Sequence, residues 1–405
     1  MSEVTTQQRT PAVSAGREKR PSSTSEAAEL LRATQGSVLL RGGATKLDWA
    51  GRVDEPDLLI DTSDLAGVLT HNPADMTASV GGGTRLTELQ RHLKGDGQWL
   101  ALDPPTAETG ATVAGLLAAG DSGPSRLRYG GIRDLVIGVT LILADGTVAR
   151  AGGHVIKNVA GYDLAKLVHG SLGSLAMIAE VVVRLHPRPS GALTITGTAD
   201  ADQATAAAVA IAAGPFEPSA VEWISQSGSG TLLVKTEGAA GYLDSSRSQL
   251  TSMLDGLGVT TRQLSDEDAE TSWQEHAAAV RGEEQETVVR ICTLPTRLGG
   301  LTSDALDIAA AADVEARLIS SVSLGMHTVR IRGGDAQGHA TAFTELRERA
   351  LAQGASVLLR SRSFEVDGLV DALGPPPSTV ELLKRIKTQF DPAGRFAPQR
   401  FHPWY

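Results

Sequence analysis

The sequence predicts an α+β protein: a glycine-rich first part, then an antiparallel sheet built of two β-α-β-β-α-β units with helices on one face. Three observations predict it. Glycine-centred turns follow strand-like runs at 38–49 (VLLRGGATKLDW), 78–93 (ASVGGGTRLTELQRHL) and 103–123 (DPPTAETGATVAGLLAAGDSG). The run DLVIGVTLILADGTVARAG (134–152) holds two apolar strands around Asp145–Gly146, a hairpin signal. Beyond residue 190 one order of strands and helices occurs twice.

Taken along the chain, residues 1–26 are poor in apolar residues and read as a disordered tail. Leu86, Leu89 and Leu93 recur at helical spacing and predict a helix after the second glycine turn. From Tyr162 to His169 a short helix is expected, then a turn at GSLG and a strand over 176–185. HPRPSG (186–191) reads as a linker. The first unit of the repeat follows, with strands at 192–198, 219–225, 230–236 and 258–263 and helices at 201–213 and 243–256. An acidic helical insert occupies 264–286. The second unit places strands at 287–293, 316–323, 327–332 and 355–362 and helices at 301–313 and 337–352. The expected division is a tail (1–26), a first domain (27–190), a second domain (191–380) and a C-terminal segment (381–405) returning to the first.

The chain has 405 residues and a formal charge of −10, which argues against a nucleic acid or an anionic membrane as main partner. Its one cysteine, Cys292, excludes an intramolecular disulfide and a cysteine-ligated iron–sulfur cluster in this chain, and reads as a strand thiol. No apolar run approaches the roughly 20 residues of a membrane span, and the start lacks a signal-peptide core; a cytoplasmic protein is expected.

Familiar motifs fail one by one. GxxxxGK[ST] is absent. GGGTRL (81–86) has Leu86 where a dinucleotide fingerprint needs glycine. GDSGP around Ser122 has no histidine and acid to make it a nucleophile. The nine histidines show no metal-ligand spacing, so no metal is expected. RGGATK (41–46) is more informative. Gly42 and Gly43 let backbone N–H groups share one concavity, as a pyrophosphate needs, and Arg41 and Lys46 add positive charge. Alternation places Arg330 with Arg332, and Arg360 with Arg362, on one strand face, where either pair clamps a carboxylate or simply meets solvent. No catalytic base stands out.

Taken together, RGGATK, DPP…GATVAGLLA, YGGIRDLVIGVTLILADGTV, KNVAGYDLAKLVHGSLGSLAMIAEVVVRLHP and FDPAGRFAP resemble the FAD-binding domain of vanillyl-alcohol-oxidase-type (PCMH-type) flavoproteins. IKNVAGYDLAKL is most similar to the FAD-binding subunit of bacterial glycolate oxidase. The resemblance covers roughly residues 27–190 and 382–400. It implies a two-subdomain FAD-binding domain followed by an antiparallel cap domain of two ferredoxin-like units. It further implies that Arg41, Gly42, Gly43, Ala44, Thr45 and Lys46 wrap the pyrophosphate. Pro104, Gly110, Ala111, Thr112 and Gly115 would line the opposite side, with Tyr129 and Gly130 beside them. Val155, Lys157, Asn158, Gly161, Tyr162 and Ile178 would fall in the stretch facing the adenine half.

Departures from that pattern shape the expected function. The first loop has no His or Cys for covalent attachment, so FAD is expected to be non-covalent. The His-rich, metal-associated run of the catalytic 2-hydroxy-acid subunits is missing, and the tail keeps Arg400 but has Ala397 and Gln399 in place of Asn and Gly. The implied role is an FAD-binding subunit of a glycolate-oxidase-type complex, beside a second flavoprotein subunit and an iron–sulfur subunit, peripheral to the inner membrane through them. A self-sufficient FAD-dependent dehydrogenase of another small hydroxy compound, or an assembly subunit without FAD, stand as alternatives.

Overall fold

A computed structural model describes residues 17–53, 55–154, 161–226 and 229–405. Among these the strands form four sheets. The first is small and parallel, with Leu58–Asp61 between Glu18–Lys19 and Val38–Arg41. Helix Thr24–Ala33 packs beside it through Ala27, Ala28 and Leu31. The tail expected through residue 26 is thereby corrected: Ser23 accepts the Glu26 N–H at 3.1 Å and starts the helix inside it. The C-terminal segment returns here, since the Val38 N–H donates to the Arg395 carbonyl and the Ala397 N–H to the Val38 carbonyl. Phe396 is fully buried in the same core.

The second sheet is antiparallel, in the order Val68–Asn72, Thr77–Gly81, Met177–Arg184, Val136–Ile142, Val148–Gly152. The Asp145–Gly146 hairpin forms as expected, with Gly146 at φ +79° in the left-handed region the turn requires. Helix Leu86–Leu93 buries Leu86, Leu89 and Leu93 against this sheet together with Leu116 and Val181. Asp163 starts the short helix Leu164–Val168 by accepting the Lys166 N–H.

A two-stranded ladder pairs His186–Pro187 with Gln98–Trp99. The fourth sheet has eight strands: Ala192–Ala199, Pro218–Gln226, Ser229–Glu237 and Thr261–Gln263, then Thr287–Cys292, Glu315–Ser321, Met326–Arg332 and Ser356–Ser361. Within each set of four the spatial order is fourth, first, third, second, and the two second strands join the sets edge to edge. Helices Ala201–Ala213, Ala240–Gly256, Leu298–Ala311 and Ala336–Ala352 cover one face, where Trp223, Leu232, Val234, Val289, Ile291 and Phe343 pack. Because side chains alternate along a strand, Glu222, Ile224, Leu233, Lys235 and Arg290 must face the other way. Helix Asp266–Arg281 covers part of that second face through Ala279 and Trp273, leaving the remainder open toward the glycine-rich part. Among the described residues no helix is long and apolar enough to cross a membrane.

Candidate functional site

The first cleft is built by two loops pressed together. A Cβ on Gly43 would stand 1.8 Å from the Gly110 carbonyl oxygen, and one on Gly42 2.5 Å from the Thr112 hydroxyl. Any side chain at 43 would therefore drive the loops apart. Thr112 holds its loop by accepting the Gly115 N–H at 3.2 Å. Beside these loops lies a cleft of about 740 Å³ with its open mouth. Of the residues named from sequence, Gly42, Gly43, Ala44, Thr45, Lys46, Thr112, Gly115 and Ile178 line it together, while Gly110 and Ala111 form its backing. Its described lining holds no His, Cys or Tyr. A cradle of glycine, alanine and threonine with one buried lysine fits a long flat nucleotide carrying a pyrophosphate.

Other sequence candidates lie elsewhere. The Arg41 guanidinium is engaged by Asp61 at 2.8 Å and Glu18 at 2.6 Å, so its charge is directed to those acids. Pro104 lines a second cleft. Tyr129 donates its hydroxyl to Glu237 at 2.9 Å; burial, then the Glu237 charge, pushes its pKa up to about 12. Its neighbour Gly130 ends helix Arg126–Tyr129 at φ +81°. Gly161 (φ +87°) and the Tyr162 ring, 88% exposed, are outside both clefts. Val155, Lys157 and Asn158 lie outside the described residues.

Leu172, Gly173, Ala176 and Met177, within the stretch assigned by resemblance to the adenine half, also line the first cleft, as do Thr62 and Arg400, which carried no such expectation. The GSLG turn read as a helix end also forms cleft wall, and Leu172 at φ +50° was the unannounced part of it. Arg400 donates to the Leu47, Trp49 and Gly51 carbonyls at 2.7, 2.7 and 2.9 Å, bracing the cradle loop with the tail. Burial, then nearby Arg362, lowers its pKa to about 10.

The second cleft, about 2620 Å³ with its open mouth, separates the glycine-rich part from the open face of the eight-stranded sheet. Asp121, fully buried, joins a lysine of the first cleft to an arginine of the second. Lys46, from the first cleft, donates to Thr45 and Thr106 at 2.9 and 2.7 Å and lies 3.4 Å from Asp121. Arg360, from the second, lies 3.4 Å from the other Asp121 oxygen. Burial alone would raise the Asp121 carboxyl, but Lys46, Arg360 and Arg290 hold it below the ordinary range. Burial, then Arg290, lowers Arg360 to about 10. Arg360 and Arg290 stack on Trp49, 4.4 and 5.7 Å from its ring centre. Arg290 forms no ion pair among the described residues, and Arg360 Nε is buried without an acceptor among them.

The arginine pairs named from sequence thus divide. Arg330 is held by Glu286 at 2.5 Å and Arg332 by Glu315 at 2.7 Å. Arg362 is spent on the Asp48 and Ala50 carbonyls and on Asp367. Only Arg360 of the four lines a cleft. The ladder slips at this point, Val288 pairing with Ser361 and Val289 with Leu359, so Arg360 sits in a bulge that simple alternation does not foresee.

Comparison with known proteins bears on this geometry. A family profile described as FAD binding domain matches residues 19–152. Glycolate oxidase subunit GlcE of Escherichia coli is 37% identical over 129 residues, 32% of this chain and 37% of that protein. Glycolate oxidase subunit GlcD of Bacillus subtilis is 24% identical over 389 residues, 89% of this chain and 83% of that one. The solved structure of p-cresol methylhydroxylase with substrate bound superposes with a TM-score of 0.74 at 13% identity, covering 97% of this chain and 90% of that one, which shows a shared fold. The chain thus carries an FAD binding domain over residues 19–152, is similar to subunits of glycolate oxidase, and shares its fold with p-cresol methylhydroxylase.

Proposed function

We propose that the chain is an FAD-dependent oxidoreductase acting on the CH–OH group of a small 2-hydroxy acid, as the FAD-binding subunit of a glycolate-oxidase-type assembly. The observation that carries this reading is the charge at the junction of the clefts, where Lys46, Arg290 and Arg360 surround the single carboxylate of Asp121. That leaves an excess of positive charge in a buried place, which an incoming anion would offset. Arg290 and Arg360 offer the carboxylate of a substrate charge-assisted hydrogen bonds from one side of the cleft. Gly42 to Lys46, Thr112 and Gly115 would hold FAD without a covalent bond, Lys46 facing its phosphates or flavin edge. FAD, when bound, supplies the two-electron acceptor. Relatives named as glycolate oxidase subunits support a multi-subunit assembly, in which a second flavoprotein and an iron–sulfur subunit would take electrons onward.

Purified alone, the chain is expected to be yellow, to lose its flavin colour once when a 2-hydroxy acid is added anaerobically, and to turn over slowly. A tag on the native chain should capture the partner subunits and restore turnover. Robust turnover by the isolated chain contradicts the subunit role, and failure of glycolate, lactate and longer 2-hydroxy acids to reduce the flavin contradicts the substrate class.

A further inference from the structure

We propose that His276, held by Glu222, is the proton acceptor for the substrate hydroxyl in this cleft, an inference that rests on the function proposed above. Glu222 lies on the open face of the eight-stranded sheet, and His276 on helix Asp266–Arg281 that crosses that face. Both are buried, 1% and 3% exposed, yet both line the second cleft with Arg290 and Arg360. His276 Nε2 is 2.9 Å from Glu222 Oε2, and the Ser321 hydroxyl donates to the same oxygen at 3.0 Å. A carboxylate only accepts, so it fixes the proton on Nε2 and leaves Nδ1 as the basic lone pair. Nδ1 has no hydrogen-bond partner among the described residues and is not one of the atoms closed off from solvent.

Several other groups facing the cleft are committed. His327 is bonded at both nitrogens, to Ser320 at 3.0 Å and Thr293 at 2.9 Å, and burial lowers its pKa to about 4. Asp103 accepts from the Ser125 N–H and hydroxyl, and Lys235 is held by Glu237 at 2.8 Å. On the helix itself Glu270 accepts from Gln274, and Arg281 donates to the Pro105 carbonyl. An acid-oriented histidine with one free ring nitrogen, in a cleft that also holds Arg290 outside any ion pair among the described residues, is the arrangement a general base requires.

The step balances as follows. His276 Nδ1 takes the hydroxyl proton while the Cα–H bond breaks. FAD, when bound, would supply the two-electron oxidant that takes up that hydrogen with its electron pair. The carbon–oxygen bond becomes a carbonyl, the product is a 2-oxo acid, and the imidazolium faces Glu222. Arg290 and Arg360 keep the carboxylate, and Glu222 acts as a positioning residue.

The test compares His276→Gln and Glu222→Gln with the wild-type holoprotein by anaerobic stopped-flow reduction and by calorimetry with oxalate, a planar dianion of substrate size. His276→Gln should retain the flavin spectrum and slow reduction at least 100-fold, within the span of general-base catalysis. Glu222→Gln should slow it less and move the rising limb of the rate to lower pH, because the imidazolium loses its counter-charge. Oxalate binding should take up one proton in the wild type, read from the enthalpy in two buffers, and none in His276→Gln. Reduction by His276→Gln within threefold of wild type, or unchanged proton uptake, overturns the assignment alone. A wild-type flavin that no 2-hydroxy acid reduces overturns the proposed function and the assignment with it. Should His276→Gln not fold, an unshifted Glu222→Gln profile overturns the assignment.

Discussion

The two clefts are made in opposite ways. The first is a cradle of backbone, in which Gly42, Gly43 and Gly110 are small because two loops must touch. The second is a face of side chains, in which Glu222, Arg290, Arg360 and His276 arrive from three strands and a helix far apart in sequence. The difference teaches that holding a cofactor is written locally, in a few adjacent residues. Reading a substrate, in the function proposed above, is distributed over the sheet and depends on which way each strand faces.

The comparison can be broken most forcefully at Gly43. Gly43→Val should leave the protein without flavin, with FAD affinity lowered by at least 100-fold, since its Cβ would meet Gly110 at 1.8 Å. The flavin-to-protein absorbance ratio measures this, and a yellow variant would show that the loops need not touch.

Next in size is Asp121→Asn at the junction. Leaving three cations without their buried counter-charge should cost about 3–5 kcal/mol of stability, read by chemical denaturation. The Asp121 carboxyl titrates lower in the folded protein, so its contribution is present above the unfolded value and is lost as pH falls through the folded one. The variant should therefore flatten the fall in melting temperature below about pH 4.

How much was legible follows the same divide. RGGATK and GATVAG announced the two loops of the first cleft, and DG the hairpin of the second sheet, because each is a contiguous run whose small residues have a backbone reason. The repeat beyond residue 190 was legible because its elements have clean periods and match the observed strands and helices closely. Arg290 was missed because a single arginine in VVRIC looks like any strand residue, and its neighbour Trp49 is far away in the chain. Arg360 was named, but with Arg362 as its partner; the bulge separates them. His276 carried no spacing signal, since Glu222 reaches it only through tertiary packing. Ser22 and Ser23 before Glu26 were a helix start hidden in a stretch whose composition suggested disorder.

The smallest expected effect sharpens the contrast among arginines. Arg332, half-exposed and paired with Glu315, should tolerate Arg332→Ala with less than about 1 kcal/mol of stability lost and unchanged flavin reduction. A large loss of reduction rate there would mean that the working face of the sheet has been misassigned.

The division of labour is tested most directly by Arg290→Met, with the dissociation constants for FAD and for oxalate measured on the same protein. FAD binding should stay within twofold of wild type, while oxalate binding should weaken about 10- to 100-fold, the worth of a charge-assisted hydrogen bond. Unchanged oxalate affinity, or a parallel loss of both ligands, would contradict the account.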